Sequence, residues 1–186
     1  MCIRDRFNPA VIKLKELVEG GALGELIIIS TRRVGPFVPR VRDVGIIIDA
    51  ATHDIDIARY LVGREPVGVF AKAGRIRHEK EDHAIIVLDF DGTVASIEVN
   101  WFTPHKVRSL VATGTEGIAY LDYIEQTVEI YDSEWKKIPE IKREEPLKLE
   151  LEHFLDCIET NRKPLIDGNE GLKVLEIAMR AYERLE

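Results

Sequence analysis

Only two cysteines, Cys2 and Cys157, occur in the 186 residues, and no CxxC motif or Cys/His cluster accompanies them. That leaves neither a disulfide framework nor a zinc site, and a reducing, cytoplasmic setting is expected. Long apolar runs are missing too: none approaches the roughly 20 residues that a membrane span needs. A basic excess is absent. Twenty-six Lys and Arg face 33 Asp and Glu, a formal net charge of −7. This argues against broad nucleic-acid binding, where a basic face must displace counterions. The only glycine cluster, Gly20-Gly21-Ala22-Leu23-Gly24, has the wrong spacing for a phosphate loop and precedes a strand pattern instead of following one. Residues Met1 to Asp5 (MCIRD) are too polar for a signal peptide. They are expected to be a spurious start, foreign to a domain that runs from Arg6 to Glu186.

What is present suits one globular domain with a substantial core, at 45% hydrophobic and 32% charged residues. Residues 9–19 carry apolar groups at Val11, Ile12, Leu14, Leu17 and Val18, a helical period opened by Asn8-Pro9 and closed by Gly20-Gly21. A strand is expected over 26–34, a proline- and arginine-rich loop over 35–45, and a very apolar helix over 46–62 ended by Gly63. The rhythm then changes to strands at 67–77, 83–90, 93–103, 106–113, 117–123, 126–131 and 134–138. Asp91-Gly92 marks a hairpin, and Gly114 and Gly117 bracket another turn. Two helices, at about 147–160 and 168–185, close the chain. The fold class is α+β, a large, mostly antiparallel sheet with helices on one face. Strands 83–90 and 93–103 carry apolar residues on both faces, so the uncovered face is expected to meet another subunit.

On a helical wheel, Ile46, Ile47, Ile48, Ala50, Ala51, Ile55, Ile57, Ala58, Leu61 and Val62 fill a wide arc of the helix over 46–62. Asp49, Thr52, His53, Asp56, Arg59 and Tyr60 share a narrow one. A polar stripe of this kind is usually a solvated face, but so wide an apolar arc points to a buried helix whose polar arc faces a cleft. Asp49 and His53 stand at i and i+4, neighbours on one face. A carboxylate beside an imidazole suits proton exchange near neutral pH. Asp54 falls inside the apolar arc, so an arginine or backbone amides must lie beside it. Arg32, Arg33, Arg40 and Arg42 flank the loop leading into this helix and could grip a carboxylate or pyrophosphate, although surface charge is the plainer reading of any one of them. Asn100 to Lys106 could add contacts where a strand ends.

Asp49-Ala50-Ala51-Thr52-His53-Asp54-Ile55-Asp56 resembles the D-x-G-x-H-x-x-D stretch of the glucose-fructose oxidoreductase, inositol dehydrogenase and rhizopine-catabolism (Gfo/Idh/MocA) family. Arg6-Phe7-Asn8-Pro9 is similar to the segment that opens that family's second domain. Leu23-Gly24-Glu25, Gly114-Thr115-Glu116-Gly117 and the closing Glu152-His153-Phe154…Pro164…Gly168…Gly171-Leu172 match as well, so the resemblance spans 6–186. Ala51 replaces the glycine common between Asp and His.

The resemblance implies a dihydrodipicolinate-reductase-like C-terminal domain whose Rossmann half is absent. NAD or NADP would be bound mainly by that missing N-terminal half, which would also carry the family's Glu-Lys-Pro lysine. Asp49 and His53 would line a sugar beside the nicotinamide, with His53 exchanging the hydroxyl proton. Arg33, Arg40, Arg42, Thr52, Asn8 and Asp56 are the expected substrate-binding residues, and no metal is expected. The arginine-rich wording of 32–45 looks closest to members acting on nucleotide-linked N-acetylhexosamines or their uronates, so the partners would be a sugar or UDP-sugar and, through the open sheet face, further copies in a homodimer or homotetramer. The rival reading is a non-catalytic oligomerisation or sugar-binding module derived from such an enzyme. A hydrolase using Asp49 and His53 lacks a nucleophile.

Overall fold

The computed structural model describes residues 4–37, 39 and 43–183. Arg4–Phe7 forms a short 3-10 helix, and α1 follows at Pro9–Glu19. Asn8 is extended and its side chain accepts from the Ala10 amide at 3.0 Å, satisfying one of the free amides of the first turn, while Pro9 supplies a preset first helical residue. The strands are β1 Leu26–Pro36, β2 Gly68–Gly74, β3 His83–Asp89, β4 Val94–Asn100, β5 Phe102–Gly114, β6 Ile118–Asp122, β7 Thr127–Tyr131 and β8 Lys136–Lys137. Helix α2 spans Thr52–Val62, α3 Pro146–Thr160 and α4 Gly168–Glu183.

One sheet of eight strands results, in the order β2-β3-β4-β1-β5-β6-β7-β8. Every pairing is antiparallel except β1 with β4. The Asp91-Gly92 turn works as expected: both residues take positive φ, 56° and 105°, and the Phe90 amide closes onto the Thr93 carbonyl at 2.8 Å.

The alternation of each strand decides its two faces. Ile29, Ala84, Ile86, Leu88, Ala95, Ile97, Val99, Leu110, Ala112, Ala119, Leu121, Val128 and Ile130 are buried in a single core. Over them lie Ala10, Val11 and Leu14 of α1, Ile55, Ala58 and Leu61 of α2, and Val174, Ile177, Ala178 and Ala181 of α4. The opposite face is bare in the single chain: Ile28, Phe70, Ile85, Val94 and Tyr120 stand exposed on it, Ile85 at 54%. Helix α3 packs on the 3-10 helix but buries only Cys157, leaving Leu151, Phe154, Leu155 and Ile158 exposed. Among the described residues, no helix is long and apolar enough to cross a membrane.

The structure departs from the expected elements in three places. The expected strand over 93–103 is broken at Trp101, because the Asn100 side chain accepts from the amides of Phe102 and Thr103 and from the Thr103 hydroxyl, at 3.0, 3.1 and 2.9 Å. That local turn starts β5 at Phe102, four residues earlier than the pattern suggests. The helix expected over 46–62 begins with a π turn at Ile47–Ala51 before α2, a feature often found at functional sites. The segment 1–5, expected to lie outside the domain, contributes a buried Asp5.

Candidate active site at the start of the buried helix

The π turn is closed at its start by a residue far away in the chain. Glu81, buried in the connection between β2 and β3, accepts from the Ile47 amide at 3.3 Å, and its carbonyl accepts from the Ile46 amide at 2.9 Å. Free amides at a helix start need such an acceptor. Gly45 lets the carboxylate in: a Cβ there would sit 2.0 Å from it. The next residue, Asp82, is also buried and accepts at one oxygen from the amides of Ile76, Arg77 and His78, at 2.9, 2.7 and 3.3 Å. Burial favours its neutral form, but these amides and His83 outweigh that and hold its pKa down at about 2.

Asp49 on the π turn and His53 in the first turn of α2 line two cavities at once. The larger, about 1190 Å³, has Thr52 beside them and apolar walls that include Phe7, Leu151, Phe154 and Leu172. The smaller, about 150 Å³, lies toward the sheet and is lined by Arg33, Asn100, Lys106 and Arg108. The His53 side chain is 23% exposed. Its Nδ1 makes no hydrogen bond among the described residues, although Asp5 Oδ2 lies 3.3 Å from it, within ion-pair range. The i, i+4 spacing therefore brings Asp49 and His53 to the same cavities without a hydrogen bond between them. Asp49 belongs to the π turn and His53 to the α turn after it, so ideal α geometry does not relate the two.

The other polar residues of the helix do something else. Asp54 is buried and held by Arg33 through two bonds, Nε to Oδ2 at 2.8 Å and Nη2 to Oδ1 at 3.3 Å, which supplies the arginine that its place in the apolar arc demands. Arg33 also reaches Asp5 at 2.6 Å. Asp56 is wholly buried and accepts both arms of Arg6, at 2.8 and 2.6 Å; Arg6 continues to Glu170 on α4 at 2.7 Å. Arg59 bonds Glu65 at 2.7 and 2.6 Å.

The expected substrate contacts separate accordingly. Thr52 lines the larger cavity, and its hydroxyl donates to the Ile48 carbonyl at 2.9 Å. Arg33 borders the smaller cavity, but its guanidinium is occupied by Asp54 and Asp5. Asp56 and Asn8 are placed in the framework instead: Asp56 is consumed by Arg6, and Asn8, besides capping α1, donates to the Tyr123 carbonyl at 3.0 Å. Arg32 pairs with Glu98 at 3.0 Å on the sheet's other face, away from both cavities. Arg40 and Arg42 lie outside the described residues. Sequence reasoning missed Glu81 and Arg108. The first carries no local signal, since its partner is 34 residues away. The second could have been found from period 2: Lys106, Arg108 and Leu110 share one face of a strand.

The described residues fit one wall of a nicotinamide site, with an apolar surface around a partly exposed imidazole. They include no strand–turn–helix unit with a glycine loop to hold a pyrophosphate. Comparison with known proteins agrees with a domain of this kind. The family model described as GFO/IDH/MocA C-terminal domain matches residues 11–120. UDP-N-acetylglucosamine 3-dehydrogenase of Acidithiobacillus ferrooxidans is 27% identical over 97% of this chain and 60% of its own length. Its solved structure superposes with a TM-score of 0.89, covering 99% of this chain and 60% of that one. The scyllo-inositol 2-dehydrogenase (NAD(+)) of Bacillus subtilis is 31% identical over 95% of this chain and 57% of its own length. The chain thus spans about three-fifths of the relatives it matches. Sequence, sheet topology and the helix start with its Asp49 and His53 converge: the chain belongs to the GFO/IDH/MocA C-terminal domain family.

Proposed function

We propose that this chain is the substrate-binding and catalytic portion of an NAD- or NADP-dependent dehydrogenase acting on a sugar or nucleotide sugar. The observation that carries this reading is the placement of Asp49 and His53 where two cavities meet, on a helix start held by Glu81. When bound, the nicotinamide supplies hydride chemistry at a sugar carbon. His53 takes the proton of the hydroxyl on that carbon during oxidation and returns it during reduction. Asp49 and Thr52 orient the sugar's hydroxyls.

The two-fifths of the relatives' length not matched here corresponds in this reading to the dinucleotide-binding part. The exposed apolar residues of α3 and the walls of the larger cavity are where it would pack. The bare sheet face takes a second copy of the chain, in a homodimer or homotetramer. A non-catalytic assembly or sugar-binding module derived from such an enzyme is the alternative, and one assay separates the two. Residues 4–183 are joined to the segment of the A. ferrooxidans relative that they do not match, and reduction of NAD and NADP is followed with a panel of sugars and UDP-sugars. Turnover with at least one of them is expected; a folded chimera that binds cofactor yet oxidises none would favour the non-catalytic module. The 186-residue chain alone is expected to bind neither NAD(H) nor NADP(H) in calorimetric titration, since none of the described residues forms a glycine loop that would cradle the phosphates.

A further inference from the structure

Three cations that line the smaller cavity beside His53 have no side-chain partner among the described residues: Arg4 of the 3-10 helix, and Lys106 and Arg108. Lys106 and Arg108 lie two residues apart on β5, on the same face as buried Leu110. They line the smaller cavity together with Asp49 and His53. Arg108 stands directly across from Arg33 in the β1–β5 register, and like charges in that position repel. Arg33 is compensated by Asp54 and Asp5. Among the described residues, the side chains of Arg108 and Lys106 make no hydrogen bond or ion pair, although the Arg108 carbonyl accepts from the Tyr123 amide at 3.0 Å. Burial and the charge of Arg33 push the Arg108 guanidinium below the usual arginine range, only partly offset by Asp5 and Asp54. A cation left short of counter-charge in a cavity that also exposes a proton-exchanging imidazole is arranged for an anion delivered by the substrate.

We infer that this cavity takes the carboxylate of an acidic sugar, so that the substrate is a uronic or aldonic acid unit and Arg108 and Lys106 select it. The inference rests on the reading of Asp49 and His53 as a sugar site. A carboxylate is favoured over a phosphoryl group for two reasons. The planar fork of a guanidinium matches a planar carboxylate in two parallel bonds. The Asp49 carboxylate lines the same small cavity and would oppose a dianion more than a monoanion.

Binding can be measured on the 186-residue chain without cofactor, by titrating D-glucuronate, D-glucose 6-phosphate and D-glucose and following chemical shifts. Glucuronate is expected to bind about tenfold or more tightly than glucose, the effect of one charge-assisted hydrogen bond. Arg108→Gln should bring it to the level of glucose, Arg108→Lys should retain part of the preference, and Lys106→Gln, at an exposed position that cannot endanger the fold, should weaken it several-fold. Equal binding of glucose and glucuronate, or a preference untouched by either glutamine variant, would overturn the inference while sparing the sugar site. Tighter binding of glucose 6-phosphate than of glucuronate would overturn the carboxylate assignment. Failure of all three ligands to bind would overturn the inference and the sugar site together.

Discussion

The polar residues of the π turn and α2 divide into two regions built from the same residue types. At the helix start, Asp49, Thr52 and His53 open onto cavities. One turn later, Asp54 and Asp56 are closed off by Arg33 and Arg6. The difference lies in what each carboxylate faces. Asp54 and Asp56 are buried, where an unpaired charge would be intolerable, and each has been given a guanidinium with two arms. Asp49 is half-buried and left to the cavities. An acidic residue on this helix is therefore framework, or left open to the proposed chemistry, according to its partner and not its type or spacing.

The largest expected effect is in the framework region. Asp54→Ala leaves buried Arg33 with Asp5 as its remaining carboxylate, and breaking a buried pair costs up to about 3–5 kcal/mol. Urea unfolding measures it; a loss below about 1 kcal/mol would mean that the pair is not what holds β1 to α2. A smaller effect is expected where Asp82 gathers three amides beside Glu81. Its folded pKa is about 2 against an ordinary 3.8. A depressed carboxylate contributes stability that is fully present above the ordinary value and lost as pH falls through the folded one. Stability should therefore decline between about pH 4 and pH 2, and Asp82→Asn should flatten that part of the curve. An unchanged curve in the variant would remove Asp82 from the account. The smallest effect on stability is expected on the bare sheet face, where Ile85→Lys should change the unfolding free energy by about 0.5 kcal/mol or less. The same change should shift light scattering at micromolar concentration from an oligomer to a monomer. A parent chain that is already monomeric would contradict the proposed assembly.

Much of this architecture is legible in the residues, and the parts that are not share a cause. Periodicity places α1 at its observed bounds, and the alternation in β3 and β4 separates the buried face from the bare one. The oddity of Asp54 in an apolar arc foretells an arginine, which is Arg33. What escapes is everything settled by a partner distant in sequence or by one side chain's local turn. Asn100 breaks a strand that alternation would have continued. A wheel cannot see Arg6, so Asp56 looks like a cleft residue. Glu81 acquires its meaning only when the connection between β2 and β3 reaches the helix start. Of the site itself, Asp49 and His53 stand out through their motif and Asn100 to Lys106 through their place at a strand end, whereas the position of Arg108 across from Arg33 emerges only from strand register.

In the proposed function His53 serves chemistry while its neighbour Asp54 serves the fold. This division is tested most directly by measuring turnover and unfolding midpoint together for His53→Ala in the chimera that joins this chain to a dinucleotide-binding segment. Loss of general acid–base catalysis predicts a fall in turnover of about 10²–10⁴-fold with a midpoint close to that of the parent. Parent-like turnover, or a fall in turnover accompanied by a comparable collapse in stability, would contradict it.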